Sequence, residues 1–183
     1  MRVSLINYDN KCYKPGPWLK RIIWHYCNGF IFKTSLFPFN KLKTFLLRLF
    51  GAKVGKGVLI KPGVNIKYPW FLQIGDHVWI GEHAWIDNLA KVTIGNNVCI
   101  SQGTYLLTGN HDYSKPCFDL ILKNINIEDG VWIGAKAIVC PGVTCKSHAV
   151  LSVGSIATGN LDAYGIYQGN PAVKIRERLI KEN

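Results

Sequence analysis

The segment TGNHDYSKPCFDLILKN holds this chain's clearest candidate for chemistry, His111. It follows Gly109 and Asn110 and precedes Asp112. An imidazole takes up and releases a proton near neutral pH, which suits it to drawing the proton from an attacking hydroxyl. Asp112 is its neighbour in sequence, and adjacent side chains usually point apart, so Asp112 reads as a turn or capping residue. Upstream, Glu82, His83, Asp87 and Asn88 form a polar group that is either a solvated turn or a binding surface. Trp70, Trp79 and Trp85 add apolar ring faces, suited equally to a ligand or to packing between subunits. The six cysteines (Cys12, Cys27, Cys99, Cys117, Cys140, Cys145) make no CxxC pair and no metal-ligand spacing. Free thiols are expected and no metal site.

A scaffold must hold these groups, and its signature is a repeat. From Val54 an aliphatic residue recurs every six positions: Val54, Ile60, Ile66; Ile74, Ile80, Ile86; Ile94, Ile100, Leu106; then Ile127, Ile133, Val139, Cys145, Leu151, Ala157. Thirteen of these fifteen are Val, Ile or Leu. Four residues after most of them sits a second, usually smaller residue, as at Val58, Val64, Ala84, Thr104 and Ala137. Glycine often follows the aliphatic directly, at Gly55, Gly75, Gly81, Gly95 and Gly134, where a tight turn would use it. A period of six matches neither a 3.6-residue helix nor simple strand alternation. It fits a chain wound as a triangular prism, one short strand and one turn per six residues, in about five coils. The repeat breaks between Leu106 and Ile127, so the segment over 107–126 must leave the prism surface as a loop, and His111 lies where it departs.

With the segments FGAKVGKGVLIKPGVNIKYPW, WIDNLAKVTIGNNVCISQGTYLLTGNHDY and QGNPAVKIRER, residues 51–178 resemble the hexapeptide-repeat O-acetyltransferases. The likeness is strongest to the colanic-acid branch, related to maltose and galactoside acetyltransferases. The resemblance implies an all-β fold, a left-handed parallel β-helix, against the usual right-handed crossover rule. It implies transfer of acetyl from acetyl-CoA to a saccharide hydroxyl, His111 as general base, and a homotrimer with sites between adjacent prisms. It places the acceptor near Trp70, Glu82, His83, Asp87 and Asn88. It places the cofactor along the late coils, at Trp132, Gly134, Ala135, Val153, Gly154, Ser155 and Thr158. Lys174 and Arg176 would meet its phosphates, although Val173 stands where many relatives carry arginine. Alternatives within this resemblance are an amino-sugar N-acetyltransferase and a serine acetyltransferase, which normally carries a large helical N-terminal domain. A zinc carbonic anhydrase on the same prism would need three converging histidines, for which His77, His83 and His111 are the candidates. A non-catalytic hexapeptide scaffold is the remaining class.

The net charge of +11 is unevenly placed. Residues 1–53 hold ten Lys/Arg against Asp9 alone, while residues 54–183 are nearly balanced. Residues 17–50 read as helical, with Asn40 capping a helix whose apolar face is Leu42, Phe45, Leu46, Leu49 and Phe50, closed by Gly51. This segment is expected to cap the first coil and is suited to peripheral contact with anionic lipid. The division is thus 1–53 as cap, 54–168 as β-helix and 169–183 as a tail with a short helix. No apolar run is long enough to span a membrane and no signal core is visible, so the expected location is the cytoplasm or the inner membrane face. There is no P-loop, no GxGxxG in a βαβ setting and no nucleic-acid module, so neither nucleotide triphosphates, NAD nor nucleic acid is an expected partner.

Overall fold

The computed structural model describes residues 2–181; residue 1 and residues 182–183, at the outer ends of the cap and tail segments, lie outside the described residues. Three parallel sheets form a triangular, left-handed β-helix. The first face is built from β1 (Lys53–Val54), β4 (Leu72–Ile74), β7 (Val92–Ile94), β12 (Ile125–Ile127) and β15 (Thr144–Cys145). The second is β2 (Leu59–Ile60), β5 (Trp79–Ile80), β8 (Cys99–Ile100), β13 (Trp132–Ile133), β16 (Val150–Leu151) and β18 (Gly165–Gly169), edged by β19 (Ala172–Glu177). The third is β3 (Asn65–Ile66), β6 (Trp85–Asp87), β9 (Tyr105–Leu107), β14 (Ile138–Val139) and β17 (Ile156–Ala157). The register stacks the repeat on itself, Ile60 on Ile80 on Ile100 on Ile133 on Leu151. Fourteen of the fifteen six-residue positions are buried, Val54 being half-buried. At about 1.5–3 kcal/mol per buried aliphatic side chain, this axial column is the main apolar term of the prism. Five complete coils are followed by a partial sixth, in which Leu161 pairs with Cys145 and Tyr167 with Leu151.

The turns have a regularity that the six-residue reading does not predict. Three residues after most aliphatics the backbone is left-handed, whether the residue is Gly57, Gly63 or Gly130, or His77, His83, Asn97, Lys136 or His148. The glycines that directly follow the aliphatics have a different cause from the tight turn expected. A Cβ on Gly134 would lie 2.6 Å from the Val153 nitrogen, so close approach of the next coil requires glycine there.

The N-terminal segment covers the open first coil. Helix α1 (Trp18–Cys27) continues through a wider turn over Asn28–Phe32, and α2 (Asn40–Leu49) follows. Trp24 is buried against Phe32 and Phe50 and donates to the Ile66 carbonyl at 2.8 Å. Asn40 does not cap α2. Its amide donates to the Val58 carbonyl and accepts from the Ile60 N–H, both at 2.7 Å, imitating the strand that the first coil lacks. Lys43 donates to the Lys61 carbonyl and Arg48 to those of Val54 and Gly55. The buried stripe of α2 is therefore Lys43, Thr44 and Leu47, whereas Leu42, Phe45 and Leu49, expected on the apolar inner face, are exposed. Among the described residues the expected C-terminal helix is absent: 172–177 is a strand, because the chain reverses at Asn170–Pro171 and finds open hydrogen-bonding groups along β18.

Candidate active site

The excursion from the prism is a β-hairpin, β10 (Gly109–His111) paired antiparallel with β11 (Leu120–Leu122). It springs from the edge between the third and first faces. Thr108, just before it, is anchored there, its N–H and hydroxyl both donating to the Asp87 carbonyl. The half-buried His111 ring is held on one side only. Its Nδ1 lies 2.8 Å from the Phe118 carbonyl oxygen, and its plane stacks on the Phe118 ring, centroids 4.4 Å apart and 8° from parallel. A carbonyl only accepts, so Nδ1 carries the proton and Nε2 is left with its lone pair. This is the tautomer that a general base requires. Phe118 itself has φ +52, a left-handed conformation that is unfavourable for a bulky residue and is maintained by the loop around it.

Asp112 does not orient the imidazole. Its carboxylate accepts from the Ser114 N–H and hydroxyl and lies near Lys115, and these contacts hold it below the usual carboxylate range. The segment over residues 4–15 runs along the same edge: Ser4 N–H donates to the Pro116 carbonyl, the Tyr8 ring sits 5.6 Å from that of His111, and Tyr13 hydroxyl donates to the Leu89 carbonyl. Sequence reading gave no role to Tyr8 or Phe118. Phe118 acts through its backbone carbonyl, which no side-chain type advertises.

Of the residues assigned to the acceptor, Asp87 and Asn88 lie on the edge of His111, one coil earlier. Asp87 is buried, pairs with Lys67 at 3.2 Å and accepts from Tyr105 hydroxyl at 3.2 Å. Burial and then the Asp87 charge push the Tyr105 hydroxyl up to about 12. Asn88 is fully buried, exchanging two hydrogen bonds with the Tyr68 backbone. Trp70 is engaged within the chain, stacked on Tyr68, under the Lys20 ammonium, and donating to the Pro15 carbonyl. Glu82 and His83 are elsewhere, on the turn between the second and third faces, with the His83 ring over Gly63. His77 lies on the third edge, so His77, His83 and His111 cannot converge within one chain. The described residues contain no group of three candidate ligands.

The residues assigned to the cofactor divide in the same way. Ala135, Val153 and Gly154 stack on the second–third edge, where the Gly154 N–H donates to the Ala135 carbonyl. Trp132 is exposed on the second face with its N–H on the Ser101 hydroxyl, and the Ser155 hydroxyl accepts from the Gly169 N–H. Thr158 is exposed at the end of the fifth coil. On β19 Lys174 pairs with Glu177 and Arg176 is exposed, while Arg178 turns inward to the carbonyls of Gly130 and His148. In a single chain the width of the third face thus separates His111 from the Ala135–Val153 edge.

No protein-family model matches the chain. It is 39% identical over 172 residues to a protein named as the colanic acid biosynthesis acetyltransferase WcaF of Escherichia coli (strain K12), covering 94% of each chain. This chain belongs to the hexapeptide-repeat acetyltransferases. The galactoside O-acetyltransferase of Escherichia coli (strain K12) is 29% identical, over 79% of this chain and 76% of that one. A hexapeptide-repeat-containing acetyltransferase from Vibrio cholerae O1 biovar eltor, solved complexed with acetyl coenzyme A, superposes with a TM-score of 0.80 at 26% identity, covering 88% of each chain. As a hexapeptide-repeat acetyltransferase the chain is an acyl-CoA-dependent enzyme, with acetyl-CoA as cosubstrate.

Proposed function

We propose that this acetyltransferase moves acetyl from acetyl-CoA to a hydroxyl of a saccharide, with His111 as general base. The observation that carries the reading is the Nδ1–Phe118 carbonyl bond, which leaves Nε2 free to accept a proton. As the acceptor hydroxyl attacks the thioester carbonyl, its proton passes to Nε2. When the tetrahedral intermediate collapses, the C–S bond breaks and the imidazolium returns that proton to the departing thiolate. The naming of the relatives for colanic acid and galactoside acetylation supports a sugar acceptor.

The separation of the two edges supports a shared site in a homotrimer, His111 of one protomer facing Ala135, Val153, Gly154 and Thr158 of its neighbour. In that arrangement Glu82 and His83 reach the acceptor across the subunit boundary, and Trp132, Gly134 and Ser155 support the cofactor edge. Lys174 and Arg176 on β19 meet the cofactor phosphates in this reading. The exposed Leu19, Ile23, Phe45 and Leu49, set among the cations of a strongly basic segment, support peripheral contact with an anionic inner membrane face from the cytoplasm. No helix among the described residues is long and apolar enough to cross a membrane. Flotation with anionic and neutral vesicles tests this contact, and equal recovery with both refutes it.

The deciding experiment is acceptor-dependent thiol release from acetyl-CoA, wild type against His111→Ala, over oligosaccharide and amino-sugar acceptors. The expected result is loss of O-acetylation by about 10²–10⁴-fold in a variant that still binds CoA. Equal activity of the two proteins overturns the base assignment, and preferential acetylation of an amine overturns the hydroxyl one.

A further inference from the structure

Between α1 and the first two coils lies a cleft of about 670 Å³, a size that accommodates a small organic ligand. Its chemistry is one-sided. Arg21, His25, Lys33 and Lys67 line it, together with Tyr68 and Trp85, and among the described residues no Asp or Glu lines it. Lys67 pairs with Asp87, but among the described residues neither Arg21 nor Lys33 has a carboxylate partner. The Arg21 Nε is buried and has no hydrogen-bond acceptor among the described residues. A buried guanidinium nitrogen without a partner is costly, and an anion bound beside it would lower that cost. A phosphate supplies several acceptor oxygens and up to two negative charges to such a cluster.

The cleft is coupled to the base by a short path. Trp85 on its wall stacks on Tyr105, whose hydroxyl donates to the Asp87 carboxylate; the Asp87 carbonyl holds Thr108, the residue before β10. A ligand anchored by phosphate among Arg21, Lys33 and Lys67 therefore lies beside the coil edge that leads to His111.

We infer that this cleft is a phosphate-binding subsite, and that the acceptor is a sugar carrying a phosphate or diphosphate substituent rather than a free sugar. The inference rests on the saccharide reading of the acceptor given above. Arg21 and Lys33 bind the anion, Lys67 is shared between it and Asp87, and Trp85 bounds the sugar. A nucleoside diphosphate sugar and a lipid diphosphate sugar present the same group to the cleft.

The test begins with inorganic pyrophosphate as the probe, titrated calorimetrically into the full chain. Saturable binding is expected, weakened about tenfold in each of Arg21→Gln and Lys33→Gln, the effect of one lost charge-assisted hydrogen bond. Lys56→Gln, an exposed lysine outside the cleft, should leave it unchanged. Lys33 is exposed, so its variant keeps the test valid if the Arg21 variant fails to fold. No binding, or equal weakening by Lys56→Gln, overturns the subsite. Acetylation of free, nucleoside-diphosphate-linked and lipid-diphosphate-linked forms of one sugar follows, with Lys33→Gln beside wild type. The expected result is preference for a linked form that is lost in the variant, and the preferred form identifies the source. Preference for the free sugar overturns the acceptor assignment. If no form is acetylated, the saccharide reading and the acceptor assignment fall, while the pyrophosphate titration still decides whether the anion site exists.

Discussion

Replacing Phe118 separates the two contributions of this residue to the His111 ring. Its carbonyl fixes the tautomer, and its side chain fixes the ring plane by stacking. Phe118→Ala keeps the carbonyl and removes the stack, whose value in aromatic pairs is about 0.5–1.5 kcal/mol. That predicts a fall in kcat of about 2–12-fold, far short of the loss expected for His111→Ala. Phe118→Gly removes the same ring but suits the +52° φ, which costs a non-glycine residue about 1–2 kcal/mol. The glycine variant should therefore melt no lower than the alanine variant, with the same modest loss of kcat. The assay is thiol release at saturating acetyl-CoA, with CoA affinity by calorimetry and melting temperature measured on each variant. If folded Phe118→Ala loses as much activity as His111→Ala, the side chain does more than align the ring. If it loses nothing, the stacking seen here is irrelevant to catalysis.

Three further outcomes follow from particular contacts. Gly134→Ala should cost more than about 2 kcal/mol of stability, because the added methyl meets the backbone of the next coil at 2.6 Å and neither strand can yield; a chemical melt at wild-type level would refute it. Asn40→Leu should lower stability by about 2–4 kcal/mol, two lost hydrogen bonds plus an unpaired Ile60 N–H, read as a shift in the urea midpoint at unchanged slope. Tyr105 should titrate late in an ultraviolet absorbance titration, at about 12, and Tyr105→Phe should lose that one tyrosine's share of the late absorbance, the rest coming from Tyr13, which burial also pushes up. The raised value means that the folded state holds this proton more tightly than the unfolded chain. The stability it contributes is complete below pH 10 and falls as the pH rises towards 12; a pH dependence of opposite sign would refute the assignment.

The prism was legible in the residues because its cause is local and repeated. Ile60, Ile80, Ile100 and Ile133 each occupy the same place in a six-residue unit, and nearest-neighbour stacking turns that period directly into architecture. The segment that carries His111 was legible for a related reason: a break in a strict period exposes the stretch that departs from it. Where residues meet across long separations, the sequence pattern is silent or misleading. Asn40 looked like a helix cap and instead pairs with the first coil. Leu42, Phe45 and Leu49 looked like an inner face, but the contact falls on Lys43 and Leu47. The basic tail looked helical, yet the unpaired edge of β18 draws it into a strand. The tautomer of His111 is set by the carbonyl of Phe118, seven residues away and independent of its side-chain identity. The cation cleft joins Arg21 and Lys33 to Lys67 and Trp85 only after α1 has docked on the third face. Hydrophobic periodicity is written into the chain at short range, whereas unsatisfied backbone edges and converging charges exist only once distant segments have been brought together.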